Sequence, residues 1–272
     1  MEAGHDIAQV VTRPDARRSR RAGPTPSPVK ALAVDLGLTV SDRVEAVAEV
    51  GAELGVVVAY GRIIRPPVLG SLRLINVHFS LLPRWRGAAP VERAILAGDD
   101  TTGVCLMQLE AGLDTGPVFA RRRSAIGDGE TAAQLTARLA DLGARLLVGA
   151  LADGLGEPQA QYGEATYAAK LEPAELELRW DRPAVDLVRL VRVGRAWTTW
   201  RGRRLLVLAA SLDDPAAPAS SEEKAGTLLG TRVVTGAGAL DLLRVQPEAR
   251  GPLDAVEWLN GARPGADERL GG

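Results

Sequence analysis

The sequence predicts an α/β domain followed by a small β-barrel domain, and three observations support this fold class. In the first half of the chain, short β-branched runs alternate with helical segments, which is typical of a mostly parallel sheet covered by helices. Toward the C-terminus, short strands recur between glycine turns, which is typical of a small barrel or sandwich. The length of 272 residues is sufficient for two modest domains.

The elements of the first half follow from hydrophobic period and from turn residues. The run from Ile7 to Thr12 predicts a strand, and the arginine- and proline-rich stretch that ends at Pro28 predicts a loop. Apolar residues at helical spacing predict a short helix from Val29 to Leu36, ended by Gly37. Further strands are predicted over residues 56–60, 74–79, 104–109 and 117–123, and further helices over 88–97 and 131–151.

An irregular stretch rich in glycine, proline and glutamine separates the two halves. We therefore expect a first domain at residues 1–155, a linker at 156–180 and a second domain at 181–272. Residues 213–224 are rich in alanine, proline, serine and glutamate and predict a mobile loop. In the second domain the pattern predicts a helix over 184–193, strands over 198–200, 204–210, 226–229, 232–235 and 240–245, and a final helix over 253–260.

The composition excludes several classes of protein. Hydrophobic residues make up 46% of the chain and charged residues 25%, which excludes a wholly disordered or low-complexity protein. No apolar run approaches the roughly 20 residues needed to cross a bilayer, and residues 1–6 lack the features of a secretory signal. The single cysteine, Cys105, cannot form an intrachain disulfide, so we expect a cytoplasmic protein.

The composition also restricts how the chain could bind a metal or a nucleic acid. Two histidines and one cysteine argue against a zinc site, and we expect no metal. The net charge is −1, so any affinity for nucleic acid must come from local basic patches.

The stretch from Leu74 to Gly87 places an amide and an imidazole close together. Because side chains alternate between the faces of a strand, Asn76 and His78 share one side of the predicted strand. Ligands of open α/β sheets bind in the crevice beyond the strand ends. An amide beside an imidazole can donate hydrogen bonds to a developing oxyanion and move a proton, as acyl transfer to an amine requires. A histidine that only caps the strand is the alternative interpretation.

A carboxylate, Asp114, follows a later predicted strand. Gly112 and Gly116 flank Asp114 and allow the backbone to bend sharply, which places the carboxylate at the tip of a loop. Such a carboxylate could orient His78, raise its basicity or accept a proton from an attacking amine. An ordinary Asx turn is the alternative interpretation.

Several common catalytic signatures are missing from the sequence. It contains no G-x-x-x-x-G-K-[ST] phosphate loop, no strand-linked G-x-G-x-x-G and no G-x-S-x-G elbow. Interpretations as a kinase, a nicotinamide-dependent enzyme or a serine hydrolase therefore lose their main support.

From about Ile7 to its C-terminus, the chain resembles the folate-dependent formyltransferase family. The motifs shared with the family as a whole are Asn-x-His at 76–78, Ser-Leu-Leu-Pro at 80–83 and Leu-Asp-x-Gly at 113–116. The chain also resembles the tRNA-directed branch of the family. The motifs that carry this resemblance are Pro-Ser-Pro-Val at 26–29, Arg-Trp-Arg-Gly-Ala-Ala-Pro at 84–90, Tyr-Ala-Ala-Lys-Leu at 167–171 and the C-terminal β module.

The resemblance implies an enzyme with a Rossmann-like domain and an OB-like C-terminal domain. Its activity would be transfer of a formyl group from 10-formyltetrahydrofolate to the α-amine of methionine esterified to initiator tRNA. The resemblance places Asn76, His78 and Asp114 in the catalytic set, with Asn76 and His78 stabilising the oxyanion and His78 and Asp114 managing protons. Ser80, Leu81, Leu82 and Pro83 match the segment that lines the folate site. The expected partners are initiator methionyl-tRNA and the folate donor, without a membrane, and the expected state is a monomer.

Two basic patches are candidates for tRNA binding. Between Thr12 and Lys30 the chain carries a formal charge of about +5, and the natural partner of such a loop is phosphate. In the family this loop inserts at the acceptor end of the tRNA, and Arg20 matches the position of an important basic residue. A solvated arginine-rich face is the alternative for each patch. The candidate residues are Arg17, Arg18, Arg20, Arg21 and Lys30 in the first patch and Arg201, Arg203 and Arg204 in the second.

The chain departs from the family pattern at its beginning. Family members open with a strand and a Gly-Thr-Pro turn, whereas this chain starts in sequence similar to their second strand. The resemblance therefore implies a sheet whose first, central strand is missing. Two further functions stay open: a formyltransferase acting on another amine, such as an amino sugar nucleotide or a purine precursor, and an inactive, truncated chain that still binds tRNA.

Overall fold

The computed structural model describes residues 3–17, 23–212, 223–265 and 268–272. The chain divides into two compact units, each assembled from three stretches of sequence. The first unit consists of Met1–Ala88, Gly103–Ser124 and Leu139–Tyr167, and the second of Ala89–Thr102, Ala125–Arg138 and Ala168–Gly272.

Six α-helices and sixteen short or medium strands occur in the described residues. The helices are α1 Pro28–Asp35, α2 Pro66–Leu69, α3 Pro90–Ala97, α4 Ala132–Ala152, α5 Ala184–Val193 and α6 Ala255–Ala262, with 3-10 turns at Val44–Glu49 and Pro173–Leu176. The strands of the first half are β1 Val10–Val11, β2 Ala16–Arg17, β3 Pro24–Thr25, β4 Val40–Ser41, β5 Leu54–Val58, β6 Arg73–His78, β7 Arg86–Gly87, β8 Thr101–Gln108 and β9 Val118–Ala125. Those of the second half are β10 Tyr167–Ala168, β11 Trp197–Trp200, β12 Arg203–Leu212, β13 Leu228–Leu229, β14 Arg232–Val234, β15 Ala239–Pro247 and β16 Leu253–Asp254.

The first unit has the α/β character that the sequence predicts. A four-stranded sheet has the order β5-β6-β8-β9, in which β5 and β6 are parallel and β6 and β8 are antiparallel. Strand β6 is central, and its Ile75 is fully buried. Strands β1 and β4 form a separate parallel pair.

Helix α4 covers this sheet from one face. Gly143 of α4 faces the sheet so closely that an added Cβ atom would lie 2.8 Å from a methyl group of Val77 on β6 and 3.3 Å from one of Val104 on β8. Val77 therefore points toward the helix. Since strand side chains alternate, Asn76 and His78 point to the opposite face of the sheet.

The N-terminal region differs from the sequence-based expectation in two places. The strand predicted over residues 7–12 is only Val10–Val11, because its partner β4 offers just two residues for pairing. The predicted arginine-rich loop contains a short antiparallel pair, with Ala16 opposite Thr25. Alternation over two residues is too short to be recognised in a sequence.

The second unit is rich in antiparallel strands, in agreement with the predicted C-terminal β domain. Its six-stranded sheet has the order β11-β12-β15-β14-β13, and β16 pairs with β15. Helix α5 occupies the residues predicted for it and buries Leu187 and Leu190 in a core that also contains Trp180 and Trp258. The loop predicted at 213–224 lies outside the described residues except for its last two.

No helix in the described part of the chain is both long enough and apolar enough to cross a membrane.

Candidate active site

The site forms where strand β6 ends. His78 is the last residue of β6 and is 5% exposed, while Asn76, two residues earlier, is half-buried. Strand β8 runs beside β6 with Cys105 opposite His78. Both polar side chains lie on the sheet face away from α4, as the alternation in the sequence predicts.

Two oxygen atoms face the ring of His78. Its Nε2 donates a hydrogen bond to the backbone carbonyl of Trp85 at 2.9 Å. A carbonyl can only accept, so Nε2 carries the ring proton and Nδ1 of the neutral ring carries a lone pair. That Nδ1 lies 3.7 Å from the Oδ2 atom of Asp114.

The environment keeps His78 neutral. Burial lowers the pKa of His78 below its ordinary value because the imidazolium loses its hydration. The negative charge of Asp114 and the hydrogen bond to Trp85 act in the opposite direction and only partly offset burial. The ring can therefore accept a proton at neutral pH.

The side chain of Asp114 is held by a distant part of the chain. Its Oδ2 accepts a hydrogen bond from the backbone N–H of Gly87 at 2.7 Å, and the side chain is only 12% exposed. Asp114 itself has a φ of +50°, which is uncommon for a residue other than glycine. The structure thus brings the carboxylate of Asp114 close to the ring of His78.

One residue of the site was missed by the sequence analysis. Gln161 lies in the stretch predicted as a linker, yet its amide group donates to the carbonyls of Asp114 and Gly116, both at 2.8 Å. Its carbonyl oxygen accepts from Arg86 at 2.7 and 3.1 Å. No local pattern marks a glutamine whose partners are 45 to 75 positions away.

The expected folate segment is compact. Ser80 is fully buried, and its hydroxyl donates to the carbonyl of Arg84 at 2.6 Å. Leu82 is 1% exposed and is followed by a cis peptide bond to Pro83. Leu81 is half-buried and lies close to Gly103 of β8. These side chains fix the shape of the chain that leaves β6.

The candidate tRNA-binding residues have different surroundings. Lys30 forms an ion pair with Asp15 at 2.7 Å, and Arg17 is exposed on β2. Arg201 is ion-paired with Glu268, Arg203 is exposed, and Arg204 lies over the ring of Trp197 at 4.6 Å. Arg18, Arg20 and Arg21 lie outside the described residues.

In the ranges that the structure describes, no three His, Cys, Asp or Glu side chains come together in a group that could hold a metal ion.

Comparisons with known proteins cover nearly the whole chain. A family model described as "Formyl transferase" matches residues 1–151, and one described as "Formyl transferase, C-terminal domain" matches residues 170–263. Over 277 residues, the chain is 47% identical to a protein named methionyl-tRNA formyltransferase from Dinoroseobacter shibae, covering 95% of this chain and 90% of the relative. A protein of the same name from Methylococcus capsulatus is 42% identical, covering 99% and 93% of the two chains.

Solved structures show the same fold at lower identity. HypX from Aquifex aeolicus, in complex with tetrahydrofolic acid, matches 86% of this chain with a TM-score of 0.66 and 19% identity, over 44% of its own length. A methionyl-tRNA formyltransferase from Clostridium thermocellum matches 65% of this chain and 82% of its own, with a TM-score of 0.53 and 22% identity. From the family models and the close relatives, the chain belongs to the formyl transferase family.

Proposed function

We propose that the protein transfers the formyl group of 10-formyltetrahydrofolate to the α-amino group of methionine esterified to initiator tRNA. The observation that carries this proposal is a buried His78 beside the carboxylate of Asp114, at the end of a strand that also presents Asn76. The relatives at 41–47% identity that are named methionyl-tRNA formyltransferase support the choice of acceptor.

The residues present fit such a formyl donor, which supplies an electrophilic carbon for the amine to attack. The Asn76 amide makes no side-chain hydrogen bond to the residues that the structure describes, so it is available to donate to the formyl oxygen as negative charge develops there. Preorganised donors of this kind contribute about 3 to 4 kcal/mol to stabilising a transition state.

His78 and Asp114 would manage the protons. The Nδ1 atom of His78 accepts the proton of the attacking nitrogen, and Asp114 stabilises the imidazolium that forms. Carbon–nitrogen bonds are exchanged in the reaction: the bond to the amine forms and the bond to the donor nitrogen breaks. His78 returns the proton to the departing nitrogen, so the ring ends as it began.

The donor and the tRNA would use separate parts of the chain. We propose that Ser80, Leu81, Leu82 and Pro83 shape the wall of the folate site, with the buried Ser80 and Leu82 acting by holding the backbone. For tRNA, exposed Arg17, Arg203 and Arg204 are the best-supported of the basic candidates, because Lys30 and Arg201 are already paired with carboxylates. Arg18, Arg20 and Arg21 stay candidates on sequence alone.

A formylation assay tests the proposed acceptor. The purified full chain and 10-formyltetrahydrofolate are incubated with methionyl initiator tRNA, an amino sugar nucleotide or a purine-precursor amine. We expect product only from the charged tRNA. Activity confined to a small amine, or salt-sensitive tRNA binding without any turnover, would overturn the proposal in favour of one of the two alternatives.

Replacing His78 tests the chemistry directly. We expect His78→Ala to lower kcat by roughly 100- to 1000-fold, the usual effect of removing one essential donor or base. The matched control is His5→Ala, which removes the only other histidine of the sequence, an exposed one, and leaves kcat unchanged. An unchanged kcat in the His78 variant would remove this residue from the mechanism.

A further inference from the structure

We propose that Gln161 is a positioning residue that holds the loop of Asp114 in its working conformation, with Arg86 as its anchor. The proposal rests on the proposed function, since Asp114 matters for catalysis only if His78 moves protons. Gln161 lies within residues 156–180, which the sequence pattern predicts only as a linker. Four observations support it.

First, the side chain of Gln161 uses all of its hydrogen-bonding capacity. Its two N–H groups are donated to the carbonyls of Asp114 and Gly116, and the two lone pairs of its oxygen accept from the Nε and Nη2 atoms of Arg86. An amide has two donors and two acceptor sites, so none is left over for another role. Its orientation is fixed as well, because flipping the amide would face N–H groups to a guanidinium and an oxygen to two carbonyls.

Second, the anchor lies within the segment that holds the catalytic groups. Arg86 is flanked by Trp85, whose carbonyl accepts from His78, and by Gly87, whose N–H donates to Asp114. One three-residue segment therefore contacts the imidazole, the carboxylate and, through Gln161, the backbone beneath that carboxylate. A displacement of Gln161 would change the position of Asp114 relative to His78.

Third, Asp114 has a backbone conformation that needs support. A φ of +50° costs on the order of 1 kcal/mol for a residue with a side chain, and it persists only where neighbouring contacts fix it. The N–H of Gln161 binds the Asp114 carbonyl, while Gly87 binds its carboxylate. The same loop packs closely at Gly116, whose carbonyl also binds Gln161. An added Cβ at Gly116 would lie 1.9 Å from the carbonyl oxygen of Gln108, so this position must be glycine.

Fourth, the chain on both sides of Gln161 is attached to the same unit. Gln159 and Val118 exchange two backbone hydrogen bonds, at 2.7 and 2.9 Å. Thr166 accepts the backbone N–H of Trp85 with its hydroxyl and that of Arg86 with its carbonyl, both at 2.9 Å. Gln161 is therefore presented from a fixed backbone rather than from a freely moving connection.

The variant Gln161→Met tests this role, because methionine has nearly the same length and no hydrogen-bonding amide. The expected kcat for formylation is about 10- to 100-fold lower, the usual cost of losing a residue that orients a catalytic group. The KM values for the folate donor and for charged tRNA are expected to change less than about threefold, since the Gln161 amide is fully hydrogen-bonded within the chain and has no donor or acceptor left for either ligand. The matched control is Gln159→Met, two positions earlier and exposed, which leaves kcat unchanged.

A second measurement does not depend on turnover. The sequence has only two histidines, so nitrogen NMR of the imidazoles can follow His78 separately from His5. Asp114 raises the pKa of His78, and its displacement in Gln161→Met is therefore expected to lower that pKa further. If the wild-type protein does not formylate tRNA, the proposed function fails while this titration still reports on the positioning of Asp114.

Gln161→Glu serves as the companion variant in case the methionine variant folds poorly. It retains an acceptor for Arg86 but turns a carboxylate oxygen toward the carbonyls of Asp114 and Gly116, so kcat is expected to fall, and its melting curve shows whether the variant is folded at the assay temperature. Either of two results overturns the proposal: a folded Gln161 variant with wild-type kcat, or a loss of kcat in Gln161→Met with an unshifted His78 titration.

Discussion

At the scale of single residues, the protonation of His78 follows from what surrounds its ring. The carbonyl of Trp85 fixes the proton on Nε2, which leaves the lone pair of Nδ1 directed toward Asp114. Burial disfavours the imidazolium and outweighs the attraction of the carboxylate, so the pKa of His78 is lowered. A neutral ring next to a carboxylate is ready to accept a proton and is stabilised once it has done so.

The pH dependence of the reaction should report this balance. Because the pKa of His78 is lowered, we expect the acid limb of the pH profile of kcat/KM to have its midpoint below the ordinary histidine pKa of about 6.5. Activity is thus present above the His78 pKa and lost as pH falls through it. The profile is measured from pH 5 to 8 with saturating donor, and an acid limb centred above that value would contradict the expectation.

Removing the charge of Asp114 separates its effect from that of burial. In Asp114→Asn, the contribution that raises the pKa of His78 is lost while burial stays, so the pKa is expected to fall further. Turnover should fall as well, because the imidazolium loses its stabilising partner. Nitrogen NMR gives the titration, and a pKa that rises or stays constant would show that Asp114 does not act on the ring.

At the scale of elements, helix α4 fixes the sheet that carries the site. Its Gly143 is buried against Val77 and Val104, so the helix backbone approaches β6 and β8 more closely than a side chain would allow. The face of β6 opposite Asn76 and His78 is therefore tightly packed. A glycine normally weakens a helix, and the close approach of α4 to the sheet explains why position 143 is nevertheless a glycine.

Two alanine substitutions in α4 distinguish packing from helix propensity. Gly149→Ala adds a methyl group where no atom lies within 4 Å, so we expect it to stabilise the protein by about 0.5–1 kcal/mol. Gly143→Ala places the same group 2.8 Å from Val77, and we expect it to destabilise by about 1 kcal/mol despite the same gain in propensity. Urea unfolding measures both, and equal stabilisation by the two changes would refute the packing argument.

At the scale of the whole molecule, the net charge of −1 gives no general attraction to RNA. We therefore expect affinity for tRNA to come from arginines that are not already paired with carboxylates. Arg203 and Arg204 follow Trp200 at the start of β12, and Arg204 lies over Trp197, which leaves its guanidinium edge for phosphate. Arg201, by contrast, is bound to Glu268.

The salt dependence of tRNA binding tests this distinction. Each phosphate contact contributes roughly 0.7 to 0.9 to the slope of log K against log salt concentration, so the double change Arg203→Gln and Arg204→Gln should reduce the slope by about 1.5. Arg138→Gln is the control, since Arg138 is already engaged by Glu130. An unchanged slope in the double variant would show that Arg203 and Arg204 do not contact tRNA phosphates.

The prediction of elements succeeded where the pattern extended over several turns or alternations. Helix α5 spans the predicted residues, and the predicted strand 240–245 lies within β15, because apolar period alone marks such segments. It made β1 too long and missed the pair of β2 and β3, because two-residue pairings leave no periodic pattern in the sequence. The domain limits drawn at residues 155 and 181 stay a prediction.

The family and the candidate groups Asn76, His78 and Asp114 could be predicted from the amino-acid sequence, because these residues lie in short motifs of defined spacing. The folded structure was needed to establish which nitrogen of His78 carries the proton, which contacts support the positive φ of Asp114 and how Gln161 reaches the loop of Asp114. Each of these depends on hydrogen bonds that form only when the chain folds back on itself, from His78 to Trp85 seven positions away and from Gln161 to partners 45 to 75 positions away. Such contacts are fixed by the path of the folded chain, and no local pattern encodes them.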